Sequence, residues 1–322
     1  MTSFPRGLRT PHDRDIQECA EALFQGHLVA FPTETVYGLG GDAGNDDAVL
    51  RIFETKGRPA NHPLIVHLSE ARDAERWGRG LPDYAWKLAH AFWPGAMTLI
   101  VPTAENVSGL VTGGQGSVGL RVPSHPVAQG LLHAFVTQGG SGIAAPSANR
   151  FGRVSPTTAD AVRSELGPYL QPGDRVLEGG LCQIGLESTI IDCTGERPAV
   201  ARPGAITHQM IRDVTGLDPV AFSGHIRVSG TLTSHYAPRA RVTLDATPHP
   251  GDGLIALSSH PTPEGVIRLL TAESIEHYAR ELYVALRRGD ELGLSRIVAR
   301  TPEGDDLAVA VRDRLSRASA GS

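Results

Sequence analysis

The stretch FPTETVYGLGGDAGNDDAVLRIFETKGRPANHPLIVHL, residues 31–68, decides the fold. It leaves an apolar run, HLVAF (27–31), through a hydroxyl-rich Thr-Glu-Thr-Val-Tyr-Gly loop, passes through a helical segment, and enters a second apolar run, PLIVHL (63–68). Short apolar runs bounded by turn residues read as buried strands, whereas Val49, Ile52 and Phe53 recur at helical spacing. Asn45 is placed to cap that helix, which is predicted to end near Lys56 with Gly57 just beyond it. Alternation of strand, helix and strand is the signature of an α/β layered fold.

The same alternation continues outward. Ile16, Ala20, Leu23 and Phe24 form a helical face between Thr10-Pro11 and Gly26. MTLIVP (97–102), VGLRVP (118–123), GIAAP (142–146), STIIDC (188–193) and AVARPG (199–204) are further strand candidates, interleaved with helical runs at 83–93, 126–136 and 157–166. Hairpins among them would make the sheet mixed. Residues 215–240 lose periodicity and are read as a linker. Strands near 241–245, 253–259, 265–270 and 295–300, with helices at 272–289 and 305–315, suffice for a small second α/β domain. The expected division is a domain at 1–215, a linker at 216–240 and a C-terminal domain at 241–322.

Composition narrows the function. With 322 residues, 40% of them hydrophobic, the chain can bury large cores. A net charge of -5 gives no general basic field for nucleic acid, so any anion site must be local. Cys19, Cys182 and Cys193 lack metal-type spacing and point to a reducing compartment, the cytoplasm. The N-terminus MTSFPRGLRTPHDRDIQ has no apolar core of a signal peptide, and no run of 18 apolar residues occurs, so neither export nor membrane spanning is expected.

Common motifs are mostly missing. No P-loop, H-E-x-x-H or G-x-S-x-G sequence is present. Gly38-Leu39-Gly40-Gly41-Asp42-Ala43 formally fits a dinucleotide fingerprint, but its first glycine lies several residues past the strand. Arg58 also stands where a ribose-binding acid belongs. Ordinary helix capping explains Lys56, and Arg121 in an apolar strand could serve edge solubility. Arg58 beside Pro59 sits in a constrained loop suited to presenting a guanidinium to phosphate. Ser147, Asn149 and Ser155 in GIAAPSANRFGRVSPTT, and Ser188, Thr189 and Arg202 in GLESTIIDCTGERPAVARPG, are singly ordinary turn residues. Together they describe strand-end loops offering hydroxyls to a small zwitterion and guanidiniums to phosphates.

PTETVYGLG, KGRP with HPL, WPGAMTLI, GLRVPSHP, APSANRFGRVSPT, LESTIID and RPGAI occur in this order, and the chain thereby resembles the YrdC/Sua5 family of threonylcarbamoyl-AMP synthases over roughly residues 10–215. SHYAP (234–238) followed by a small α/β domain resembles the longer Sua5 type. The resemblance implies a YrdC-like twisted mixed sheet with flanking helices, plus a small C-terminal Rossmann-like α/β domain. It implies a nucleotidyltransferase that joins L-threonine, bicarbonate and ATP into threonylcarbamoyl-AMP and pyrophosphate. Partner proteins of the tRNA threonylcarbamoyl transferase complex then move the group to N6 of adenosine 37. Magnesium is expected to accompany ATP.

By the same resemblance, threonine recognition falls to Thr35, His67, Arg121 and Ser188. ATP falls to Lys56, Arg58, His62, Ser117, Ser147, Asn149, Ser155, Arg202 and Tyr236, with Lys56 and Arg58 also in the catalytic role. His62 stands where relatives often have Asn or another polar residue, Ala96 replaces a common proline, and Glu34 is expected to be structural. The competing function is a double-stranded RNA-binding module using Lys56, Arg58, Arg121, Arg150, Arg153 and Arg202. A third is carbamoyl-phosphate-dependent adenylation, as in hydrogenase maturation proteins with a related domain.

Overall fold

A computed structural model describes residues 13–224, 226–231 and 235–321. Thr10-Pro11, the remainder of the N-terminus before Asp13, and Ser234 of the SHYAP segment lie outside the described residues. Among the described residues, thirteen strands form two sheets.

The large sheet contains β1 (Val29–Phe31), β2 (Gly38–Asp42), β3 (Ile65–His67), β4 (Met97–Pro102), β5 (Ser117–Arg121), β6 (Ile143–Ala144), β7 (Arg175–Val176), β8 (Thr189–Asp192) and β9 (Ala199–Arg202). Their spatial order is β7-β1-β2-β6-β3-β5-β4-β8-β9. β1 and β2 form a hairpin, β3 runs parallel to β5, and β4 runs antiparallel to β5 but parallel to β8, so the sheet is mixed. Both faces are covered. In β1, Ala30 joins a core with Val49, Ile52 and Phe53 of helix Asp46–Lys56, while Val29 and Phe31 join Leu23 and Leu131 on the opposite side. Such two-sided burial explains why MTLIVP is a continuous apolar run without alternation.

Asn45 caps helix Asp46–Lys56 by accepting from the Asp47 and Ala48 amides, and Gly57 adopts φ 60°, a left-handed terminator that favours glycine. The supposed dinucleotide fingerprint has another cause. Gly38, Gly40 and Gly41 lie within β2, where a Cβ on Gly40 would come within 2.7 Å of Ile143 Cγ2 and 2.8 Å of Phe31 Cε1. These glycines admit neighbouring side chains; they do not form a strand-to-helix phosphate turn.

The second sheet contains β10 (Arg241–Leu244), β11 (Gly253–Leu257), β12 (Ile267–Ala272) and β13 (Arg296–Ala299), all parallel, in the order β10-β13-β11-β12. Helices Ile275–Glu291 and Leu307–Ala320 pack in one cluster with Ile255, Leu270, Ile297 and Ala299. Leu254, Ala256 and Val298 point the other way and are covered by Ala246 and Val266. The helix-side cluster also takes in Val36, Val154, Leu186 and Tyr236, so one hydrophobic core reaches from the second sheet to the loops of the first.

Candidate active site

The parallel register pairs His67 with Arg121, placing both side chains where β3 and β5 end. Ser188 precedes β8, which runs opposite to β5 across β4, so its start lies at the same edge. β9 returns antiparallel and ends there with Arg202. The loop after β1 adds Thr35, the loop after β6 adds Ser147, and Arg58 follows the Gly57 cap. This is the carboxyl-end crevice where α/β sheets place ligands.

A cavity of about 50 Å³ lies among these side chains, with Tyr236 and Ser229 of the linker closing it. Thr35, Arg58, His67, Arg121, Ser147, Ser188, Arg202 and Tyr236 all line it. Ser117 lines a smaller adjoining cavity. Lys56, Asn149 and Ser155 are buried outside the lining set, and His62 sits with its ring edge-on to Phe151 at 5.4 Å. Sequence reading gave no site role to Thr33, Glu187, Ser229, Gly230 or His235, which also line the cavity.

The hydrogen bonds define polarity. Thr33 Oγ1 donates to the Val36 carbonyl at 2.7 Å and lies 2.7 Å from Thr35 Oγ1. Because a hydroxyl has one proton, Thr35 donates to Thr33 and keeps its own lone pairs free to accept. Arg121 Nη2 donates to Glu34 Oε1 at 2.6 Å, and the Ser124 amide donates to Glu34 Oε2 at 3.0 Å. Burial alone would raise the Glu34 carboxyl; the Arg121 guanidinium and these hydrogen bonds outweigh it and hold the group below its usual range.

On the other side, Arg202 donates from Nε and Nη2 to the Ser188 carbonyl and from Nη1 to the Ser229 carbonyl at 3.0 Å. Arg58 Nη2 donates to the Pro63 carbonyl at 3.0 Å and to Ser229 Oγ at 3.3 Å. Two guanidiniums therefore grip the linker. Lys56 Nζ donates to the carbonyls of Ser147 at 2.6 Å and Asn149, tying down the loop after β6. Burial, aided by Arg58, pushes the Lys56 ammonium well below its ordinary range.

Several buried polar atoms have no hydrogen-bond partner among the described residues: Arg58 Nε, Arg121 Nε, His67 Nδ1, Asn149 Oδ1 and His235 Nδ1. Arg58, Arg121, His67 and His235 line the cavity. Unsatisfied polar atoms at a cavity wall are the mark of a site completed by a polar ligand.

His67 and His235 yield a pH prediction. Burial lowers each from 6.5 to about 3, assisted at His67 by Arg121. The unfolded rings take up protons near 6.5, whereas the folded rings stay neutral. Stability is therefore lost as pH falls from 6.5 towards 3, by up to about 1.4 kcal/mol per pH unit for each histidine. Thermal melts should show the midpoint falling steeply below pH 6, and His67→Asn should flatten that slope. A midpoint flat from pH 6 to 4 contradicts buried neutral rings.

Guanidiniums, hydroxyls and unpartnered polar atoms gathered at strand ends define an α/β protein with one polar, cation-lined cleft. Comparison with known proteins makes the class specific. The Sua5/YciO/YrdC family model, described as telomere recombination, matches residues 21–204, and the model of the threonylcarbamoyl-AMP synthase C-terminal domain matches residues 206–320. The chain belongs to this family. It is 37% identical to threonylcarbamoyl-AMP synthase of Pyrococcus abyssi, with 94% of each chain covered. It is 35% identical to the Bacillus subtilis threonylcarbamoyl-AMP synthase, covering 96% of this chain and 94% of that one. Among solved structures, P. abyssi Sua5 complexed with L-threonine superposes with a TM-score of 0.87 at 34% identity, over 97% of this chain and 96% of that one.

Proposed function

We infer that this chain is a threonylcarbamoyl-AMP synthase, an enzyme that converts L-threonine, bicarbonate and ATP into threonylcarbamoyl-adenylate and pyrophosphate for tRNA modification. The observation that carries this is the convergence, in one buried cavity, of Thr35, His67 and Arg121 with Arg58, Ser188 and Arg202. The first three and Ser188 take the amino acid. Arg121, with Nε open, meets the carboxylate, and the Thr35 lone pairs accept from the ammonium.

Arg58 and Arg202 take the nucleotide phosphates, while Ser117, Ser147, Asn149 and Ser155 offer polar groups to the rest of the nucleotide. His62 flanks the same loop through Phe151. Lys56 acts through the carbonyls of Ser147 and Asn149 and carries the catalytic role with Arg58 by holding that loop in place. A cavity of about 50 Å³ holds a few waters and no nucleotide. ATP entry therefore requires Ser229 to withdraw, freeing Arg58 Nη2 and Arg202 Nη1 for phosphate oxygens.

Chemistry needs no protein nucleophile. The threonine ammonium gives up a proton, and the free amine takes up CO2 formed from bicarbonate to give a carbamate, with water and one net proton released. One carbamate oxygen then attacks the α-phosphorus and the bond to the pyrophosphate oxygen breaks. The protein aligns the two substrates and stabilises charge on the phosphates and leaving pyrophosphate. Magnesium would come with the nucleotide and help neutralise its phosphates; among the described residues no group of three or more His, Cys, Asp or Glu side chains is placed to hold a metal ion, which fits a metal carried mainly by ATP. The domain division at 1–215, 216–240 and 241–322 belongs to the same proposal, with the linker as the movable part. So do a cytoplasmic site of action and delivery of the product to a tRNA threonylcarbamoyl transferase; among the described residues, no helix is long and apolar enough to cross a membrane.

The RNA-binding alternative needs its cations on a surface, yet Lys56, Arg58, Arg121 and Arg202 are all buried. Calorimetric titration tests the small-ligand site directly. L-threonine should bind saturably to the full chain, while an absence of heat and of competition by threonine analogues contradicts the assignment.

A further inference from the structure

Glu187 precedes Ser188 in the LEST segment and is buried where the two sheets meet. Its carboxylate accepts from three side chains: Ser155 Oγ at 2.6 Å, Tyr283 Oη at 2.9 Å and Arg314 Nε at 2.8 Å. Tyr283 comes from helix Ile275–Glu291 and Arg314 from helix Leu307–Ala320, both beyond the linker. Burial by itself raises a carboxyl, but Arg314 and Arg202 bring Glu187 down to about 2, so it is charged at neutral pH.

Arg314 is 0% exposed and makes further contacts. Its Nη2 donates to the Pro203 carbonyl at 3.0 Å, and its Nη1 pairs with Asp313 at 2.6 Å. Its guanidinium carbon lies 5.4 Å from the centroid of the Tyr236 ring. Tyr283 stacks on the same ring, with centroids 5.6 Å apart and planes 26° apart. Tyr236 itself has φ 61°, an uncommon backbone for a non-glycine residue, and is held there from two sides.

Buried ion pairs contribute little to stability compared with well-packed apolar side chains of the same volume. What this one supplies is direction. Ser155 spends its only proton on Glu187 and is left as an acceptor of fixed orientation. Pro203 adjoins Arg202, and Tyr236 closes the cavity. Ser155, Arg202 and Tyr236 thus belong to the nucleotide side, while Glu187 itself adjoins Ser188.

We propose that Arg314 and Tyr283 are positioning residues for the adenylation step, fixing Ser155, Arg202 and Tyr236 through Glu187, Pro203 and the Tyr236 ring. This rests on the synthase assignment and gives the second sheet a part in the reaction: its two helices back the cavity-lining Glu187 and Tyr236. The threonine half, built on Thr35, His67, Arg121 and Ser188, receives no direct hydrogen bond or ion pair from Arg314 or Tyr283 among the described residues; Ser188 is reached only through its neighbour Glu187.

Full-length Tyr283→Phe, Arg314→Met and Arg314→Lys test it, with kcat, KM for ATP, L-threonine dissociation constant and melting midpoint measured for each. Tyr283→Phe keeps the stacked ring and removes one hydrogen bond to a charged group. It should lower kcat/KM for ATP about tenfold while threonine affinity stays within about twofold. Arg314→Met should lose about 100-fold on the same constant, and Arg314→Lys should recover part of it. Equal losses for both substrates, or a lowered midpoint with unchanged constants, would overturn the proposal. Should Arg314→Met fail to fold, Tyr283→Phe decides. A wild-type chain without threonine-dependent pyrophosphate release would instead sink the synthase assignment, a result distinct from variants that match an active wild type.

Discussion

Arg121→Ala raises the L-threonine requirement roughly 10- to 150-fold and leaves the ATP requirement nearly unchanged, the effect of losing a charged hydrogen-bond pair worth about 1.5 to 3 kcal/mol. A second consequence follows from Glu34. Arg121 and Glu34 are both buried and 2.6 Å apart, so the substitution strands a carboxylate without its counter-charge. Removing one member of a buried pair costs about 3–5 kcal/mol, and the variant should melt at a lower temperature. Adding Glu34→Gln to Arg121→Ala should restore most of the stability and none of the threonine affinity. Equal changes in the requirements for threonine and ATP would contradict the assignment of Arg121. Recovery of threonine binding in the double variant would show that Arg121 served only to neutralise Glu34.

Truncation at about residue 225 should reduce ATP use on the order of 100-fold, the scale expected when reacting groups shift by about an ångström. The cut removes Ser229, which both Arg58 and Arg202 contact, and Tyr236, which closes the cavity. It also removes Arg314 and Tyr283, leaving Glu187 without either partner. Threonine affinity should fall much less, because Thr35, His67 and Arg121 all lie in the first sheet or its loops. Initial rates across an ATP series, with the threonine dissociation constant measured alongside, check this. Undiminished turnover of the truncated chain would remove the linker and second sheet from the nucleotide site.

Elements with concentrated signals were legible in the sequence. β4 matches MTLIVP residue for residue, and the Asn45 and Gly57 caps bound their helix as read. β2 escaped notice because its glycines, selected by close packing against Phe31 and Ile143, erase the apolar pattern that marks a strand. Helix His208–Thr215 was missed because, within it, only Ile211 and Thr215 are buried, too few to show a period. Motif order assembled eight cavity-lining residues from eight separate loops and strand ends. Glu187 gained no role because its partners Tyr283 and Arg314 stand 96 and 127 residues away, and a pairing at that range leaves no local trace. The cavity-closing part of Ser229 was hidden for a similar reason: it depends on backbone placement in an aperiodic linker.

Pyrophosphate release from ATP in bicarbonate buffer, measured with and without L-threonine and paired with mass spectrometry of the adenylate, tests the central claim most directly. Release that depends on both threonine and bicarbonate, accompanied by threonylcarbamoyl-adenylate, is the predicted result. Pyrophosphate release indifferent to threonine, or no release with double-stranded RNA bound tightly, would contradict it.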